Sequence, residues 1–233
     1  MKMFSNKELR SMIITLFFEQ LLVMLVGIVD TFVVSSCGEA AVSGVSLVNQ
    51  FNTIFIYLFT ALASGGAIVV SQYIGNKDKE RTILSSSQLL MFSIVFSIIL
   101  SILVLIFNKQ LLGLLFGKVE SDVMEACVTY LRISAYSYPA LAIYNAGAAL
   151  YRSMAKTKVT MYISFVANII NVVGNIIGVY VLKAGVAGVA YPSLISRVFS
   201  AIIITVLCLI KNWKLTMIQK ISLNLMERCS NVF

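Results

Sequence analysis

The chain has 233 residues, of which 59% are hydrophobic and only 12% charged, with a mean hydropathy of +0.93, two prolines and a formal net charge of +8. That balance lies outside the usual range of water-soluble domains and points to an all-α polytopic membrane protein. Histidine is absent, which removes the commonest general base and metal ligand, and the basic residues sit in short clusters between apolar runs, a signature of membrane topology rather than of nucleic-acid binding.

Residues 1–11 read as a short cytoplasmic segment. The first membrane span is expected over about 12–34 and carries Glu19 and Asp30. These acids are eleven residues apart, which places them on nearly one helix face and about 16 Å apart along the axis. Acids inside a membrane are costly and face cavities or partners, so the stripe marks a candidate site. The basic start and the VSSC run at 34–37 loosely resemble a secretory signal. A signal's apolar region is only about 7–15 residues long, and this one is longer, so the span is read as retained.

A second span is expected over about 46–72. Asn49, Gln50 and Asn52 form a polar entrance, and the ASGGA run at 63–67 predicts a flexible middle with an interrupted helix. A third span covers about 83–107. The fourth, about 125–151, contains Tyr130, Tyr136, Tyr138, Pro139 and Tyr144; Pro139 predicts a kink, and Tyr130 reads as part of an interfacial aromatic belt. Arg132 either neutralises an acid or reaches the headgroups.

In the fifth span, about 159–182, Asn168, Asn171 and Asn175 follow an i, i+3, i+7 spacing and share one face. Buried amides serve either to glue helices together or to line a cavity. Beside an acidic stripe on another helix, a shared polar cavity explains both. Gly174 and Gly178 form a G-x-x-x-G, and GVAGVA at 185–190 opens the sixth span, about 186–210; both indicate close helix packing. Arg197 lies within that last span as a further counter-charge. The four cysteines, Cys37, Cys127, Cys208 and Cys229, are widely separated and read as small apolar residues. With six spans, thirteen Lys and Arg fall on the side of both termini and three on the other, which predicts cytoplasmic termini, including the segment 211–233.

Several stretches together carry a family resemblance. TLFFEQLLVMLVGIVDTFVVSSCGEAAVSGVSL at the start, SQYIGNKDKERT after the second span, YLRIS at 130–134, ALYRSMAKTKVTMYIS at 149–164, and NIINVVGN followed by GVAGVAYPSLIS stand in an order and spacing that resembles the multidrug and toxic compound extrusion (MATE) family. The resemblance implies a cation-coupled antiporter of the cell (inner) membrane, which exports amphipathic or cationic compounds in exchange for sodium ions or protons and uses no other cofactor. It implies one six-helix lobe of such a transporter over 12–210, with 211–233 as a cut-short inter-lobe loop. The expected partners are membrane lipid, the small-molecule substrate and a second lobe supplied by an identical or separate chain, with no nucleic acid.

The family's cation site maps onto Asp30, Asn171, Asn175 and Ser193, with Glu19 nearby. Asn49, Asn52, Tyr138, Asn145 and Asn168 are the candidates for the substrate cavity. Two positions depart from the family pattern. Thr15 stands where a kink-forming proline is common, and Asn175 stands where an Asp is frequent, which leaves one carboxylate where the family often has two. The rival readings are a lipid-linked oligosaccharide flippase, which calls for a cationic cavity, a non-transporting membrane scaffold, and an inactive remnant. An enzyme is not expected, since no nucleophile stands beside a base.

Overall fold

A computed structural model describes residues 6–117 and 120–210; the expected C-terminal segment 211–233 lies outside the described residues. Within them the chain forms α1 (Asn6–Ser35), α2 (Glu39–Gly75), α3 (Lys79–Phe116), α4 (Ser121–Tyr136), α5 (Tyr138–Ser153), α6 (Thr157–Ile176), a π-helical turn (Ile177–Val181) and α7 (Ala187–Ile210). Five of these helices are long and apolar enough to cross a membrane. The remaining crossing, expected as one span over 125–151, is divided between α4 and α5.

The helices follow the predicted order, and α1, α2 and α3 run longer than the apolar stretches alone indicated. α2 packs on α3, α4 and α5, α7 packs on α5 and α6, and α1 lies at the edge, held mainly by α6. Aromatic rings fill the middle of the bundle. Tyr138 stacks on Phe55 with centroids 4.8 Å apart, and Phe51 meets Phe55 edge to face at 5.0 Å. Large apolar side chains such as Met24, Phe32 and Ile106 point outward, as lipid contact requires.

One sequence expectation about helix continuity changes. The glycine pair at 65–66 does not interrupt α2, which is helical throughout. Gly66 instead lets α3 approach, because a Cβ there would stand 2.3 Å from Leu89 Cδ1. α1 runs as one helix through Thr15, which stands where the family often has a proline and whose hydroxyl donates to the Ser11 carbonyl at 2.7 Å. The break expected near Pro139 is real and falls at Ser137. Proline lacks the N–H that the Ala135 carbonyl would accept, and the hydroxyl of Ser101 on α3 supplies it instead, at 2.7 Å. α3 leaves helical geometry at Phe107, where the Asn108 amide donates to the Leu105 carbonyl and intrudes on the backbone ladder.

The two small-residue motifs meet one another. Pro192 deprives the Gly188 carbonyl of its helical donor, and that carbonyl lies against Gly178 in the π-helical turn. A Cβ on Gly178 would stand 2.1 Å from the Gly188 oxygen, and one on Gly188 would stand 2.6 Å from the Gly178 oxygen. We expect Gly178→Ala to lower stability by about 1–3 kcal/mol, since backbone must shift to admit a methyl group. Gly65→Ala, whose Cβ would meet nothing within 4 Å, should be neutral or stabilising by up to about 1 kcal/mol. Melting curves of the two variants in the same detergent provide the comparison.

Candidate functional site

α1 brings Asp30 to the C-terminal end of α6. There the Asn175 amide nitrogen donates to Asp30 Oδ1 and, at 3.1 Å, to Asn171 Oδ1. The Asn171 amide nitrogen in turn donates to Ser193 Oγ on α7 at 3.0 Å. A single hydrogen-bonded chain thus joins three helices. The i, i+4 spacing of Asn171 and Asn175 and the packing of α6 between α1 and α7 make it possible.

The orientation of Asn175 is fixed by two acceptors competing for its nitrogen; turning the amide over would set oxygen against oxygen. One consequence is costly. The Asn175 side-chain oxygen is buried and has no hydrogen-bond donor, although the residue itself is completely buried. A buried acceptor without a donor forfeits its hydration and gains nothing in return. It stands on the residue that holds the carboxylate, and hard oxygens so grouped suit a small cation.

Glu19 does not join this chain. Its Oε1 accepts from Arg152 Nη2 at 3.0 Å and its Oε2 from the Thr160 hydroxyl at 3.3 Å, which anchors α1 to the last turn of α5 and the first of α6. The acidic stripe is therefore divided by depth: its lower acid is in an ion pair, while its upper acid is held by an amide.

The expected cavity residues also separate. Tyr138 donates to Asn52 Oδ1 at 2.7 Å, both side chains being buried. The Asn52 nitrogen is left without a partner, as are those of Asn145 and Asn168. Asn168 lines an apolar groove of about 250 Å³ between α1 and α6, with Leu22, Val26, Phe165 and Val172, whereas Asn49 is exposed. Tyr130 is not an interfacial anchor: it is 5% exposed and faces Ser193, Asn49, Arg197 and Asp30. Arg132 is exposed.

Arg197 received no partner from the sequence. It donates from Nη1 to Ser137 Oγ at 2.7 Å, at the break between α4 and α5. Its position one turn after Ser193 was the available signal, since residues four apart share a helix face.

The MatE family model matches residues 15–177, a stretch that includes Asp30, Asn171 and Asn175. Two Bacillus subtilis proteins are similar: the uncharacterized transporter YisQ, 27% identical over 196 residues, covering 82% of this chain and 43% of that protein, and the probable multidrug resistance protein YoeA, 27% identical over 172 residues, covering 71% and 37%. A crystal structure of MATE in the bent conformation superposes with a TM-score of 0.82 at 22% identity, covering 88% of this chain and 46% of that one. An outward-facing multidrug resistance MATE family transporter of the MOP superfamily gives 0.80 at 23%, covering 85% and 44%. The structural likenesses speak to fold alone. This chain spans less than half the length of each of these relatives.

Proposed function

Because the chain belongs to the MatE family, we propose that it forms one lobe of a cation-coupled antiporter that exports amphipathic, often cationic compounds across the cell membrane. The observation that carries this reading is the buried, donorless oxygen of Asn175 on the residue that binds Asp30. Such an oxygen calls for a positive partner, and Asp30 supplies the charge to hold one.

In this mechanism a sodium ion or a proton enters the site as transported cargo. Asp30 balances its charge. Asn175 and Asn171 orient the carboxylate, and Ser193 closes the far end of the chain on α7. Occupancy changes the charge that the three helices must bury together, so the packing of α1 against α6 and α7 responds to it. Export is then driven by rocking of this lobe against a second one, furnished by another copy or a separate chain, around a site at membrane depth. Both termini lie in the cytoplasm, on the side favoured by the distribution of Lys and Arg.

The test is calorimetric titration of sodium into the purified chain in detergent. The wild type is expected to bind and Asp30→Asn to show no heat of binding. Asn175→Asp, which adds a second carboxylate at the unpaired oxygen, is expected to bind about tenfold more tightly. Equal binding by wild type and Asp30→Asn would assign the amide chain to helix packing.

A further inference from the structure

Arg197 is a full charge held at membrane depth, where arginine is rare without a purpose. Three observations define its setting. Its tether is Ser137, which accepts from Nη1 at 2.7 Å while donating to the Ser134 carbonyl at 2.6 Å. Its field reaches Asp30, Tyr130 and Tyr138. Among the described residues, the only ion pair of an intramembrane acid is Glu19 with Arg152, so Arg197 is near Asp30 without pairing to it.

An arginine and a carboxylate in one low-dielectric region attract strongly. The guanidinium instead donates to a serine at a helix break. A guanidinium free to turn would place its donors on the nearest carboxylate, bidentately if the geometry allows. It would then occupy the place that a small cation needs.

We propose that Arg197 is a positioning residue for the cation site: a guanidinium that Ser137 restrains, so that it weakens the hold of Asp30 on a small monovalent cation without displacing that cation. This rests on the reading of Asp30 as the cation-binding carboxylate. The restrained charge keeps the site loose enough to release its ion, which a transport cycle requires as much as binding.

The proposal makes predictions of opposite sign. Arg197→Gln removes the competing charge and should tighten sodium binding by about tenfold. Ser137→Ala removes the tether and keeps the charge, so Arg197 turns to Asp30 and sodium binding should weaken by a similar factor. Arg197→Lys keeps the charge and should stay near the wild type, and adding Arg197→Gln to Ser137→Ala should cancel the loss. An arginine that merely cross-links α7 to the break would give changes of the same sign for both single variants, because each breaks the same hydrogen bond.

The experiment is sodium calorimetry on the full chain in detergent, with Asp30→Asn alongside and gel filtration to establish folding. Opposite shifts support the proposal. Shifts of the same sign, or none, with Asp30→Asn still abolishing binding, overturn it and leave the cation site standing. If Asp30→Asn binds sodium equally, the underlying reading and this one fall together; if the wild type takes up no sodium, this proposal is overturned and the reading of Asp30 stands for a proton alone. Should Arg197→Gln not fold, Ser137→Ala decides: it removes one oxygen, and unchanged or tighter binding overturns the proposal.

Discussion

Cells that produce the Asp30→Asn variant at the wild-type level are expected to lose cation-driven dye export down to the background of cells without the protein. The substitution is nearly isosteric and keeps an oxygen able to accept from Asn175, so the hydrogen-bonded chain to Ser193 can persist. What disappears is the only formal negative charge in that chain. An amide can donate its oxygen to a cation but cannot balance its charge, and in a medium of low dielectric an unbalanced ion does not stay. The readout is fluorescent dye retained by energised cells with an imposed sodium or proton gradient, with membrane abundance measured in parallel. Export that persists at the wild-type rate removes Asp30 from the coupling mechanism.

The second large effect concerns stability. Removing either partner of a buried ion pair costs about 3–5 kcal/mol when both are fully buried, and here the two partners differ. The Glu19 side chain is 5% exposed, whereas that of Arg152 is 30% exposed and can be solvated where it stands. Arg152→Met should therefore be the more damaging change. It strands the Glu19 carboxylate with only neutral hydroxyls, those of Thr160 and Tyr144, and a loss of up to about 3 kcal/mol is expected, the partial exposure of Arg152 reducing the full figure. Glu19→Gln should cost clearly less, and Glu19→Gln combined with Arg152→Met should recover most of the loss. Melting temperatures of the four proteins in detergent give the ordering; a milder Arg152→Met than Glu19→Gln would contradict it.

The helix order was readable because about 20 apolar residues are needed to span a bilayer and little else in the sequence imitates that length. Pro139 marked the break in the fourth span by the loss of its N–H. The hydroxyl that repairs the break, on Ser101, was not readable, because nothing local to residue 101 announces a carbonyl 34 residues away. The glycine pair in α2 misled for a related reason. Glycine serves both a bend and a close approach, and only the position of Leu89 decides between them.

In the site, periodicity placed Asn171 and Asn175 on one face and Asp30 on a stripe with Glu19. It could not say that the two acids meet different neighbours, because shared azimuth does not mean shared depth. Arg152 stands just past the expected fourth span, 125–151, yet it belongs to the last turn of α5. Tyr130 looked like a belt residue from its place near a span's start, yet its face of α4 turns inward to Ser193 and Arg197.

The lengths of α2 and α3 bear on how the molecule meets the water beyond the bilayer. At 37 and 38 residues each helix has a contour length of about 56 Å, nearly twice the roughly 30 Å of hydrocarbon in a bilayer. That surplus, with Lys77, Lys79 and Arg81 beside it, carries the hairpin tip at Asn76–Asp78, where Asp78 caps α3, out of the hydrocarbon. That tip is the natural place to graft an epitope or a fluorophore, since it can report on the lobe without disturbing any helix contact inside it.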